Sequence, residues 1–259
     1  MRIMFVYTNG SDDMHNPTLR VLQVIDFLCE CQQPQRLSDI SRALDVPKST
    51  LLPILQTMVQ GRYIKKDESD RYYPGVALLY AGAAAGKVYT QADHLRECLK
   101  ELVEKFGETC YYGVLDRDKV LYIEKIDSTQ PLRMLTTIGH KLPAYATGLG
   151  KALLMDMSYE DLKKLYPEKL EPLTKNTVRD VKSLYQQLQQ AKQQEYSWEI
   201  EESTEHVRCF GVPVRKDGEI TGAVSIAIPI FRYNESEKER IIEALKETAR
   251  KLSNISGLF

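Results

Sequence analysis

Leu37-Ser38-Asp39-Ile40-Ser41-Arg42-Ala43-Leu44-Asp45-Val46-Pro47-Lys48-Ser49-Thr50 decides how the N-terminal third folds. Ser38 is the expected N-cap of a short helix whose apolar side is Ile40, Ala43 and Leu44. Asp45 to Thr50 reads as a tight turn into a further helix running to about Gln60, with Pro47 at its start, where a missing N–H costs nothing. Two short helices a few residues apart, the second opening on small polar and basic residues, form the helix-turn-helix pattern. The first helix packs behind while the second offers its N-terminal side chains to the major groove. Lys48, Ser49, Thr50, Leu52 and Gln56 are the candidate readers, and Ser38 joins them as a DNA contact. Hydroxyls bond phosphates or base edges, Gln56 suits adenine, and Lys48 suits a phosphate. The competing reading is a three-helix bundle with an ordinary polar face.

Upstream, Leu19, Leu22, Val24, Ile25, Phe27 and Leu28 follow a helical period, with Asn16 or Thr18 as cap and Pro17 in the first turn. Downstream, Tyr63-Ile64 and Tyr72-Tyr73 are β-prone ends around a charged turn, a hairpin in which Lys65, Lys66 and Arg71 would track a DNA backbone. A charged loop is usually just solvated; directly after a helix-turn-helix it reads as a wing. Pro53 is the awkward residue. It falls inside the reading helix, where it removes a hydrogen bond at a cost of about 3 kcal/mol, and the expectation is a local distortion or a later helix start.

The chain has 259 residues, which favours two domains of unequal size, and its 43% hydrophobic content suits a soluble protein. No apolar run reaches the roughly 18 residues that span a bilayer, and the start lacks a signal-peptide pattern, so a cytoplasmic location without membrane partners is expected. Thr8 to Asn16 is polar and aperiodic. Residues 1–15 read as a flexible tail, or as an over-long start with Met14 the initiator. Net charge is −1, and between Arg20 and Arg71 eight Lys/Arg oppose seven Asp/Glu, so any case for DNA rests on where the charges sit. Five cysteines (Cys29, Cys31, Cys98, Cys110 and Cys209) without a C-x-x-C spacing read as reduced thiols, not a metal site.

The C-terminal two thirds begin with an Ala-rich helix from Val76 to about Tyr89, suited to close packing against a second subunit, and an amphipathic helix from Asp93 to Phe106. Strands over 108–115 and 119–126, a hairpin pairing 207–214 with 220–228, and a final helix from about Glu235 to Leu252 follow. Strands bracketed by helices imply an antiparallel sheet with helices packed on it, and the fold class is α+β. Thr147-Gly148-Leu149-Gly150-Lys151 opens a helical run, but a P-loop needs a glycine where Tyr145 stands and a Ser/Thr where Ala152 stands. Its amides could still seat a carboxylate; equally, the glycines could serve a tight turn and close packing.

Together with Leu55-Gln56-Thr57-Met58 and Gly61-Arg62-Tyr63-Ile64, the opening stretch resembles the DNA-binding domain of the IclR family of bacterial regulators. Gly139 to Leu154, Arg208 to Val214 and Gly222 to Ala227 agree with the family in the same order. Pro53 departs from it, standing where the family pattern usually carries an Arg that touches the DNA backbone. The resemblance implies a winged helix-turn-helix at 16–75, a connecting helix at 76–90 and a GAF-like effector-binding domain at 91–259. It also implies an effector pocket at Met134, Leu142, Gly148, Leu149, Gly150, Glu199, Val207, Cys209 and Ser225, with Ala227 lacking a hydroxyl that some relatives have. The function implied is a regulator, as a homodimer or dimer of dimers, that binds double-stranded promoter DNA of a catabolic operon. Its effector would be a small sugar acid, aromatic or short carboxylic acid, and no cofactor is expected. The alternative is a redox-responsive DNA-binding sensor acting through Cys209 or Cys110. Catalysis finds no support: His94, His140 and His206 are scattered, and His206 and Cys209 would point to opposite faces of one strand.

Overall fold

The computed structural model describes residues 15–31, 33–89, 92–131, 136–167 and 169–254, and divides into two compact units, residues 1–88 and 89–259. The expected N-terminal tail, apart from His15, lies outside the described residues.

In the first unit, α1 (Asn16–Glu30), α2 (Leu37–Leu44) and α3 (Lys48–Gln60) enclose a core of Val24, Phe27, Leu28, Ile40, Leu51, Leu55 and Met58. A small sheet of β1 (Gln35–Arg36), β2 (Ile64–Lys66) and β3 (Arg71–Pro74), in the order β1-β3-β2, adds Ile64 and Tyr72 to that core. Two caps differ from expectation. Helix α1 is entered from His15, not capped by Asn16 or Thr18. Ser38 lies inside α2, because the chain stays paired with β3 only as far as Arg36, and the helix begins at once. The Asp39 carboxylate then accepts the Arg36 backbone N–H at 3.2 Å, closing the first turn. Helix α4 (Val76–Tyr89) follows the wing and exposes Val76, Leu79 and Tyr80.

The reading helix neither breaks nor starts late. It is continuous from Lys48 through Pro53, and Pro53 sits on its exposed side, where the Ser49 carbonyl it leaves unbonded can reach water. The Pro53 carbonyl in turn accepts the Thr57 hydroxyl at 3.0 Å.

The second unit is a six-stranded antiparallel sheet between helices. Its strands are β4 (Thr109–Asp116), β5 (Lys119–Ile126), β6 (Lys141–Pro143), β7 (Ser197–Ile200), β8 (Val207–Lys216) and β9 (Glu219–Pro229), in the order β6-β5-β4-β9-β8-β7. Side chains alternate between the faces, as the pleat requires. Cys110, Tyr112, Phe210, Val224, Ile226 and Ile228 meet α5 (Ala92–Phe106) and α9 (Lys238–Ser253) through Leu95, Leu99, Leu102, Ile242 and Leu245. Tyr111, Tyr122, Val207, Ala223 and Ala227 face α6 (Gly148–Leu153), α7 (Tyr159–Leu165) and α8 (Val181–Gln194). On the face toward α6, Ala223, Ser225, Ala227 and Cys209 are small side chains set beside Tyr111 and Tyr122. These small residues border a hollow against α6.

Helix α6 lies tight against its surroundings. A Cβ on Gly150 would overlap the backbone of Ala144, and one on Gly148 would stand 3.0 Å from Cys209 Cβ. Close packing is therefore one reason for these glycines. Gly150→Ala is expected to lower stability by about 1–3 kcal/mol through forced backbone displacement, measured as a drop in the thermal or urea midpoint of the full chain; an unchanged midpoint would refute this packing account.

Candidate functional site

Two surfaces collect the residues singled out from sequence, one in each unit. On α3, Leu51, Leu55 and Met58 are buried, which turns Lys48, Ser49, Leu52, Pro53, Gln56 and Thr57 outward along one stripe; Thr50 is half-buried at its edge. Leu52 is 41% exposed, an apolar side chain in a polar row, suited to a thymine methyl. Thr57 belongs to the same stripe and was not singled out from sequence, although helical spacing from Pro53 would have found it. Ser38 is half-buried within α2.

The wing is ordered by its own acids. The Asp67 carboxylate accepts the backbone N–H groups of Ser69 and Arg71, each at 2.9 Å, which shapes the turn between β2 and β3. Lys65 and Lys66 are exposed, and Arg71 is half-buried. Lys66 pairs with Asp70 at 2.5 Å, and that pair holds the Asp70 carboxyl below its ordinary range. An exposed pair of this kind is weak, so a phosphate can take Asp70's place.

In the second unit, Tyr111, Tyr122, Thr136, Leu142, Thr147, Gly148, Leu149, Ser203, Thr204, Cys209, Ser225 and Ala227 line a narrow cleft in the hollow between sheet and α6. Its volume of ≈ 20 Å³ suffices for about one water. Of the nine positions expected there, Leu142, Gly148, Leu149, Cys209 and Ser225 line it. Met134 lies outside the described residues. Gly150, Glu199 and Val207 do not line it. Gly150 packs beneath Ala144 and gives its N–H to Thr147 Oγ1 at 2.9 Å, so its amide is spent on the helix cap and not on a carboxylate. Val207 is buried in the core, and Glu199 is fully buried behind Cys209, its partner in the β7–β8 register.

Sequence reasoning missed the polar frame behind the cleft. Lys151, in α6, is 1% exposed and pairs with Glu202 at 2.5 Å. Burial pushes the lysine ammonium down from its ordinary range, against the pull of Glu202. Glu202 Oε2 also accepts the Val178 N–H at 3.3 Å, and the Glu202 N–H donates to Glu199 at 2.7 Å. Burial pushes the Glu199 carboxyl up. Thr177 donates to the Glu202 carbonyl at 2.6 Å, and Thr174 to that of Glu201. The loop carrying Ser203 and Thr204 is thus fixed from both sides. Both candidate redox thiols move away from reactivity: burial first, and a nearby glutamate second, push Cys209 and Cys110 upward and keep them protonated at neutral pH. His206 is exposed and stands just before β8, apart from the Cys209–Glu199 contact.

Removing one member of the Lys151–Glu202 pair should be far worse than removing both. Glu202→Ala is expected to cost about 3–5 kcal/mol, and Lys151→Met with Glu202→Leu to recover most of it. Urea denaturation of the three proteins is the check; a single variant as stable as the parent would contradict the pairing.

The family model for the bacterial transcriptional regulator IclR C-terminal domain matches residues 83–254, and that for the IclR helix-turn-helix domain residues 18–68. The HTH-type transcriptional regulator KdgR of Escherichia coli (strain K12) is 31% identical over 251 residues, covering 95% of this chain and 94% of the relative. The HTH-type transcriptional repressor AllR of the same organism is 26% identical, covering 92% and 89%. Among solved structures, the IclR transcriptional regulator from Alicyclobacillus acidocaldarius superposes with a TM-score of 0.79 at 24% identity, covering 93% of this chain and 98% of that one. An IclR homolog from Microbacterium hydrocarbonoxydans complexed with 4-hydroxybenzoate gives 0.74 at 21%, with the same coverage, and at these identities the likeness speaks to fold alone. With both domain models matched in order and more than half of the chain covered, the chain belongs to the IclR family of bacterial transcriptional regulators.

Proposed function

We propose that this regulator binds palindromic promoter DNA of a catabolic operon in the cytoplasm, as a homodimer or dimer of dimers, and that a small organic-acid-like effector in its second unit tunes that binding. Residues 16–75 would be the DNA-binding domain, 76–90 the connecting helix and 91–259 the effector-binding domain. The observation that carries the reading is the outward stripe on α3. Its Lys48, Ser49, Leu52 and Gln56 stand free of the core, offering a cation, a hydroxyl, an apolar contact and an amide in two turns of helix. Lys65, Lys66 and Arg71 of the wing would add phosphate contacts, with Thr50 and Ser38 at the margin. Support for a dimer comes from α4, whose exposed Val76, Leu79 and Tyr80 are apolar surface suited to a second copy. Two-fold symmetry in the protein matches a palindromic site. The effector would contact Met134, Leu142, Gly148, Leu149, Cys209 and Ser225, with Glu199, Val207 and Gly150 supporting from behind.

The test is titration of the full chain with its own upstream DNA at several salt concentrations. Binding should weaken with salt. Lys48→Ala and Lys65→Ala should each reduce the log–log slope by about one, and Gln56→Ala should change sequence preference more than salt dependence. Pro53→Arg should tighten binding and steepen the slope by about one, because it returns a cation to the reading helix. Salt-insensitive or absent DNA binding would refute the reading.

A further inference from the structure

We infer that the second unit holds a small-molecule site apart from the cleft described above, and that its occupant is a small organic cation: a protonated primary amine on a short hydrocarbon body. The site arises where the sheet divides. Strands β4 and β9 are paired from Thr109 and Ala227 to Gly113 and Ala223. Beyond that pair, β4 stays with β5 as far as Asp116, and β9 stays with β8 back to its start at Glu219, so the two hairpins part. Leu153 at the end of α6, Met157 just after it and Asp161 of α7 bound the gap from one side, leaving a cavity of ≈ 360 Å³. That size falls within the roughly 300–1,000 Å³ of small-molecule sites. Among the described residues, none lines both this cavity and the cleft at the start of α6.

The chemistry of the wall selects the occupant. Leu115, Leu153, Met157 and Ile220 supply apolar surface against which a hydrocarbon body is removed from water. Asp156, Asp161 and Glu219 supply carboxylates, and among the described residues no Lys, Arg or His lines the cavity. The three carboxylates are unequally committed. Asp156 is answered from outside the cavity by Arg215 at 2.5 Å and Lys192 at 3.0 Å, which hold its carboxyl below the ordinary range. Asp161 accepts the Ser158 hydroxyl at 2.6 Å and stands 3.6 Å from Lys164, an exposed pair too weak to bar another cation. Glu219 is exposed at the start of β9 and enters no ion pair among the described residues. An anion would be repelled by Glu219 and Asp161, and a neutral chain would leave both unused. A short amine meets the apolar wall and the carboxylates together, its ammonium donating charge-assisted hydrogen bonds to them.

Calorimetric titration of the full chain with n-hexylamine tests this, against n-hexanol (the same chain uncharged) and hexanoate (the opposite charge). Hexylamine should bind at least about tenfold more tightly than either control. Its affinity should fall as salt rises, because the carboxylates it meets are exposed. Glu219→Gln should weaken it about fivefold through loss of the charge, with the melting temperature unchanged, since that side chain is exposed and unpaired. Thr221→Leu, which fills part of the cavity, should weaken it about tenfold through lost space for the hydrocarbon body; if that variant misfolds, Glu219→Gln still decides. Ser225→Ala, in the other cleft, should leave amine affinity as it was. The inference is overturned if hexylamine does not bind, if hexanol binds as tightly, if Glu219→Gln changes nothing, or if Ser225→Ala abolishes binding. Sedimentation of the same proteins covers the remaining occupant: a change of oligomer in Glu219→Gln without any amine binding would mean that a second copy closes the cavity, and the inference falls.

Discussion

An ammonium group held away from water organises the second unit. Lys151 lies inside α6, and its only affordable state there is one in which Glu202 faces it. Because Glu202 sits on the loop after β7, the ion pair fastens that loop to α6. Glu199, Val178 and Thr177 then fasten the same loop to the end of the sheet and to the segment before α8. Hydroxyls that border the cleft are thereby held by a frame that does not itself enter it. Small residues on the facing strands supply the space, and glycines let α6 come close enough to close it.

The first unit depends on a simpler division of labour. Leu51, Leu55 and Met58 of α3 are buried in the core, Ile54 and Val59 pack against it, and the exposed side chains of the helix lie on the remaining side. Pro53 is tolerated because it sits on that remaining side, where a carbonyl deprived of its partner has water. The same placement means that a rigid, uncharged ring occupies a spot on the reading surface. On the proposed reading, the cations near that surface are at the helix start and in the wing, Lys48, Lys65 and Lys66.

Much of this could be read from sequence, for physical reasons that differ by segment. The helix-turn-helix was legible because helical periodicity separates core from surface residues within one short stretch. Ser38 misled because the usual preference for serine at an N-cap yielded to tertiary pairing: Gln35 and Arg36 are held extended against β3, and the helix starts where that pairing stops. Helices α7 and α8 and strands β6 and β7 went unassigned, since their stretches offer sparse apolar residues such as Leu162, Leu184 and Leu188 among many Lys, Gln and Glu. Five of the expected cleft residues line it, but Tyr111, which lines it too, was invisible. Its place there comes from lying opposite Ser225, a relation between residues over a hundred positions apart that only strand pairing creates. Lys151 was missed for a related reason: a lone lysine after glycines reads as surface until its distant carboxylate is known.

The buried Lys151–Glu202 pair also has a bearing on how such a protein diversifies. Neither position can drift alone, so any lineage that changes one must pass through a poorly folded intermediate or change the other at nearly the same time. Thr204 and Ser225 line the cleft and, among the described residues, belong to no such ion pair. Each can be exchanged in a single step while the frame behind them stands. The wall can thus change one substitution at a time, leaving inherited architecture almost untouched.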